Sequence, residues 1–121
     1  MKLIDEYTKA DGTSPFGAWF AALSSEAAAK VVRAKARLQG GTGDVEPVGE
    51  GVSEFRIHWG PGYRVYFAQD GLKLVILLTG GDKSTQDKDI ATAKKYWADY
   101  KTRKKTRQSQ ASMSKSLSGN E

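Results

Sequence analysis

Arg56, His58, Arg64, Tyr66, Lys83 and Gln86 lie between Gly51 and Ile90, on either side of a Gly60-Pro61-Gly62 turn. Two guanidinium groups, an imidazole, an ammonium, a phenol and a carboxamide so spaced suit chemistry on an RNA phosphate. Metal-free cleavage of RNA uses the ribose 2′-OH as nucleophile. It needs a base for that hydroxyl, cations for the charge building on phosphate, and a proton source for the leaving 5′-oxygen. Arg64 is the phosphate-stabilising candidate, because its fork is planar and permanently charged. Its other reading is a surface arginine paired with Glu54. His58 is the candidate base, since histidine alone has an unperturbed pKa near neutrality, and acid–base work of this kind contributes about 10²–10⁴-fold. Arg56 can bind phosphate but cannot act as a base. Tyr66 either meets a base or donates a proton, or is an ordinary sheet-face tyrosine. Gln86 is a candidate base contact.

Alternation is what would bring these groups together. Along Ser53–Trp59, Phe55, Ile57 and Trp59 point one way, while Glu54, Arg56 and His58 point the other. After the turn, Tyr63, Val65 and Phe67 continue the apolar face, and Arg64 and Tyr66 the polar one. Keeping apolar opposite apolar, the tightest register opposes Trp59 to Tyr63, His58 to Arg64, and Arg56 to Tyr66. Opposed side chains would then have Cβ atoms about 4.5–5.5 Å apart. Asp70-Gly71 marks the next hairpin turn, and Leu72–Leu78 is apolar enough to be covered on both faces and interior to the sheet. Gly80-Gly81 is expected to release the chain, with Ser84-Thr85-Gln86-Asp87 starting a helix. Ile90, Ala93 and Trp97 give that helix its apolar face, and Tyr96 and Tyr100 share another.

The N-terminal half supplies the scaffold. Lys2–Tyr7 is a candidate short strand. Ser14-Pro15 is a cap and first-turn pair, followed by Phe16, Trp19, Phe20 and Leu23 on one helix face. A second helix starts at Ser24-Ser25, buries Ala27, Val31, Ala34 and Leu38, and ends at Gly40-Gly41. Lys30, Arg33 and Arg37 share its opposite face, read as solvated surface. Gly40–Asp44 lacks the Gly-Lys-Ser/Thr of a P-loop and reads as a linker. Val45–Val48 is a candidate edge strand limited by Pro47.

The 121 residues favour one domain, and about 100 ordered residues can bury a core unaided. The absence of cysteine excludes disulfides and thiolate chemistry, and a single histidine cannot build the usual His/Cys zinc site. Neither a metal nor another cofactor is expected. Nothing resembles a signal peptide, and no run approaches the roughly 18 apolar residues of a membrane span, so a soluble cytoplasmic protein is expected. The net charge of +5 belongs to the last 21 residues, since residues 1–100 carry 13 basic and 13 acidic side chains. Residues 101–121 therefore read as a basic, disordered tail after a domain of residues 1–100.

Phe55-Arg56-Ile57, Gly60-Pro61-Gly62-Tyr63-Arg64-Val65-Tyr66 and Gly81-Asp82-Lys83-Ser84-Thr85-Gln86-Asp87, in that order, resemble the RelE/ParE toxin superfamily. The branch they resemble is the HigB-like, phage-derived Gp49-like addiction module killer proteins, over roughly residues 1–100. The resemblance implies an α+β fold with a short N-terminal strand, two helices, an antiparallel sheet of three to four strands and a C-terminal helix. It implies a type II toxin, often an endoribonuclease that cuts mRNA on the ribosome, and a cognate antitoxin, commonly a helix-turn-helix protein. Operator DNA would be bound through the antitoxin complex. Arg64, Arg56 and Lys83 fall where the family carries functional basic residues. The family's C-terminal tyrosine or histidine has no secure counterpart, so the general acid stays open among Tyr96, Tyr100, Lys83 and a ribosomal group. Tyr96 and Tyr100 are also candidates for an antitoxin-binding patch. The alternatives are a ParE-like gyrase inhibitor without nuclease activity and a degenerate toxin that acts only as a regulatory partner.

Overall fold

The computed structural model describes residues 1–118. The chain runs β1 (Leu3–Glu6), α1 (Pro15–Ala21), α2 (Ser25–Gln39), β2 (Val45–Gly49), β3 (Val52–Ile57), β4 (Tyr63–Asp70), β5 (Leu74–Asp82), a 3₁₀ turn (Lys83–Thr85) and α3 (Gln86–Ser118). The fold is α+β, as its sequence implies. The sheet holds five strands rather than three or four, in the order β1-β5-β4-β3-β2. β1 makes it mixed, lying parallel to β5, while the other neighbours are antiparallel.

Each face of the sheet has its own core. Phe55, Ile57, Val65, Phe67, Val75 and Leu77 pack against Phe16 of α1 and Val31, Ala34 and Leu38 of α2. Val52, Tyr66, Ala68, Ile76 and Leu78 pack against Ala93 and Trp97 of α3. Covering β5 on both faces is what its unbroken apolar run requires. Ser14 caps α1 ahead of Pro15, and Ser24 caps α2, each accepting from a backbone N–H three residues on.

Three expectations are corrected. β3 ends at Ile57, the Trp59 N–H donates to the Ile57 carbonyl and the Gly62 N–H to the Trp59 carbonyl, so the hairpin tip spans His58–Gly62. Gly60 and Gly62 take the positive φ values this wider tip demands, 58° and 77°. The register therefore opposes Ile57 to Tyr63, Arg56 to Arg64 and Glu54 to Tyr66, not His58 to Arg64 or Arg56 to Tyr66. It slips by two residues and so keeps every side chain on its expected face.

Second, β5 starts at Leu74 and runs through Gly80-Gly81 to Asp82 instead of ending before them. A bulge opposite Tyr66/Phe67 turns Gly80 toward Trp19 and Gly81 toward Asp89. The side chain of Asp82, not Ser84, then caps the following turn by accepting from the Ser84 N–H.

Third, the helix does not stop at Tyr100. It continues to Ser118, and its residues just past Tyr100 are tied to the end of β4 and to the segment after β1. Arg103 donates to Asp99 and to the Thr8 carbonyl, while Lys104 lies 2.5 Å from Asp70. The last three residues of the expected tail lie outside the described part. Among the described residues no helix is long and apolar enough to cross a membrane.

Hydrogen bonds from Lys104 and Tyr100 lower the Asp70 carboxyl below its ordinary 3.8. A lowered carboxyl stabilises the fold above its unfolded value and loses that contribution as pH falls through the folded one. Thermal melts from pH 7 to pH 2 should show wild type above Asp70→Asn at neutrality, with the gap closing below the ordinary carboxylate value. A gap independent of pH would show that the charge of Asp70 contributes nothing.

Candidate active site

Arg56, His58, Arg64 and Lys83 converge. Together with Trp59, Gly60, Pro61 and Gly62 they line a cleft of about 380 Å³ at the tip of the β3–β4 hairpin. β3 supplies Arg56, the tip His58, β4 Arg64, and the 3₁₀ turn after β5 brings in Lys83. A Cβ on Gly62 would lie 3.6 Å from the Lys83 Cβ, so the turn and the tip touch.

Carboxylates flank Arg56, His58 and Arg64. Arg64 is only 11% exposed, with Nη1 3.8 Å from Oε1 of buried Glu54 and a buried Nε that has no partner among the described residues. It is thus both the Glu54 partner foreseen as its plain reading and a wall of the cleft. Arg56 Nη2 contacts Asp44 at 2.8 Å and Glu46 at 3.2 Å. His58 is 73% exposed, and its Nε2 lies 2.5 Å from Asp44 Oδ2. Like charges directly opposite on a sheet repel. The flanking carboxylates of Asp44, Glu46 and Glu54 offset that repulsion between Arg56 and Arg64. Hydrogen bonds from Arg56 and His58 pull the Asp44 carboxyl down to about 2.

The remaining candidates lie apart from the cleft. Tyr66 is fully buried under α3, its hydroxyl has no partner among the described residues, and burial followed by the Glu54 charge raises its pKa strongly. It cannot stack on a base, which corrects its assignment as an RNA contact. A buried unsatisfied hydroxyl costs about 1–3 kcal/mol. Tyr66→Phe should therefore match or exceed wild type in urea midpoint and leave function untouched, and a clearly lowered midpoint would show that the hydroxyl has a partner.

Gln86 spends its amide on Glu54, donating to both oxygens at 3.1 and 3.2 Å. Tyr96 stacks on Tyr7 at 4.9 Å. Tyr100 stacks on Trp97 at 5.2 Å and donates to Asp70 at 2.5 Å. Burial and the Asp70 bond push Tyr100 up to about 12. Neither tyrosine is among the residues that line the cleft.

A second groove of about 410 Å³ adjoins the first along the outer edge of β3, where Lys30, Arg33 and Arg37 of α2 face Asp44, Arg56 and His58. Read alone, the basic face of α2 was plain surface, yet it forms one wall of this groove. Asp44 also escaped notice, having been read as the end of a glycine-rich linker. Its signal was available, because pairing the edge strand antiparallel to β3 sets Val45 opposite Phe55 and therefore Asp44 beside Arg56.

The fold and cleft together define a small α+β protein with a cation-lined site at the open end of its sheet. Residues 18–107 match the family described as Phage derived protein Gp49-like, and the chain belongs to that family. An uncharacterized protein of Haemophilus influenzae is 50% identical to it over 84 residues, which is 68% of this chain and 85% of that protein.

Proposed function

We propose that this protein is the toxin of a type II toxin–antitoxin pair, of the HigB-like branch of the RelE/ParE superfamily. Its proposed activity is endonucleolytic cleavage of mRNA on the ribosome, without a metal. The observation that carries the reading is the cleft that gathers Arg56, His58, Arg64 and Lys83 at the hairpin tip. Membership in the Gp49-like family supports the toxin class. A gyrase inhibitor has no need of an imidazole among guanidinium groups.

In this reading the ribose 2′-OH attacks the adjacent phosphorus. His58 takes its proton. Arg64 faces the phosphorane oxygens from a fixed position, so no reorganisation is needed as charge builds. Lys83 adds a mobile point charge from the far side of the cleft. Arg56, neutralised by Asp44 and Glu46, contributes less field than its charge suggests. With near-neutral charge over residues 1–100, the domain has little intrinsic pull on a polyanion. Placement of the substrate by the ribosome makes up for that.

The proposed partner is a helix-turn-helix antitoxin that blocks the toxin and carries it to operator DNA. Tyr96 and Tyr100 would contact it through the parts of their rings that Tyr7 and Trp97 leave uncovered. The test is to induce wild type and Arg64→Ala in cells and to map mRNA 5′ ends by primer extension. New ends that vanish with the variant support cleavage. Arrested growth with intact mRNA and trapped gyrase would sink it, and normal growth would leave only a regulatory partner.

A further inference from the structure

His58 is the single histidine of the chain, and Asp44 is built onto it. Asp44 lies just ahead of β2, and its carbonyl accepts from the Arg56 N–H at 2.9 Å, which pins the backbone beside β3. One carboxylate oxygen then takes Arg56 Nη2 at 2.8 Å and the other meets His58 Nε2 at 2.5 Å. A carboxyl held down to about 2 is ionised at neutral pH and can only accept. The hydrogen of that contact therefore sits on Nε2. A neutral imidazole with its hydrogen on Nε2 carries its free lone pair on Nδ1. Nδ1 makes no hydrogen bond to any described residue.

We propose that Asp44 is a positioning residue: it fixes the His58 ring as the Nε2–H tautomer, so that Nδ1 is the nitrogen that deprotonates the ribose 2′-OH. The proposal rests on the RNA-cleavage reading above. In the step, the 2′-OH proton passes to Nδ1 and the 2′-oxygen bonds phosphorus. The bond from phosphorus to the 5′-oxygen breaks with its electron pair, and solvent water protonates that oxygen. The products are a 2′,3′-cyclic phosphate and a 5′-hydroxyl, and the imidazolium later returns its proton to solvent. Asp44 stabilises that imidazolium as an ion pair. The other charged groups around the ring are Glu46 beside Asp44, Arg56 on β3, Arg64 on β4, Lys83 on the 3₁₀ turn, and Lys30, Arg33 and Arg37 on α2.

Two measurements test this on the full-length chain. Long-range ¹H–¹⁵N spectra of the ring need no activity, and one histidine gives one pattern. Wild type should show Nε2–H with a hydrogen-bonded proton, and Asp44→Ala should lose that proton's shift while the rest of the fold's spectrum stays in place. An Nδ1–H ring, or a ring spectrum indifferent to Asp44→Ala, overturns the proposal and leaves the nuclease reading standing. Single-turnover cleavage of ribosome-bound mRNA is the second. Asp44→Ala should cut at least tenfold more slowly at saturating enzyme, and the acid limb of its pH–rate profile should move. Wild-type cutting with an undiminished rate and an unmoved limb in Asp44→Ala overturns only the positioning role. A wild type that makes no cuts brings down the cleavage reading and this proposal with it.

Discussion

Arg64→Ala is expected to lower mRNA cleavage by about 10²–10³-fold, the loss seen when one fixed donor is taken from a developing oxyanion. The expectation follows from how Arg64 is held. Its side chain is nearly buried, its guanidinium lies beside Glu54 through Nη1 alone, and the residue still forms part of the cleft wall. The same contact with Glu54 makes the variant ambiguous on its own. Removing one member of a buried ion pair destabilises by about 3–5 kcal/mol, because the other charge is left uncompensated. Glu54 would then keep its hydrogen bonds from Gln86 but no cation beside it among the described side chains. Adding Glu54→Gln removes the stranded charge. The double variant Arg64→Ala/Glu54→Gln should recover most of the urea midpoint lost by Arg64→Ala and none of the cleavage. If cleavage returns along with stability, Arg64 is a structural partner of Glu54 and the site must be sought elsewhere. Arg64→Lys should fall between, since it keeps the charge and loses the fork.

How far the sequence reached follows the range of the forces involved. The stripe Ala27, Val31, Ala34 and Leu38 is buried along its whole length, because helical spacing alone dictates which side chains share a face. Alternation likewise placed Arg56 and Arg64 on one sheet face. It could not say how much of that face stays open. Arg64 and Tyr66 are neighbours there, yet α3 covers Tyr66 and leaves Arg64 at the cleft. The hairpin register was missed because nothing local distinguishes a strand ending at Trp59 from one ending at Ile57. The Asp44 contacts were missed because they span 12 and 14 residues of chain and depend on an edge strand pairing with β3. Gly80-Gly81 misled for a related reason. Local punctuation and clearance for a distant side chain call for the same residue type.

That clearance makes Gly80→Ala a damaging single methyl to add near the site. A Cβ there would lie 2.2 Å from Cε3 of Trp19, inside any real contact distance. The obstacle is an indole ring with little freedom, sitting on the partly buried rim of the core. Trp19 meets Tyr63 edge-on at 6.1 Å, and Tyr63 stacks with Trp59 at 6.2 Å. Displacing Trp19 therefore pushes a chain of rings that ends in the hairpin tip carrying His58. Overpacking of this kind costs about 1–3 kcal/mol, and the rigid obstacle places this case at about 3. Gly81→Ala is the internal control. Its Cβ would meet Asp89 Oδ2 at 1.9 Å, nominally closer, but a carboxylate end can swing away at the expense of its 2.6 Å bond from Thr85. That loss is worth about 1 kcal/mol. Urea melts should rank wild type above Gly81→Ala above Gly80→Ala, and combining Gly80→Ala with Trp19→Leu should cost less than the two changes summed. Equal midpoints for the two alanine variants, or simple additivity with Trp19→Leu, would show that the ring yields freely and that the tip is not held through it.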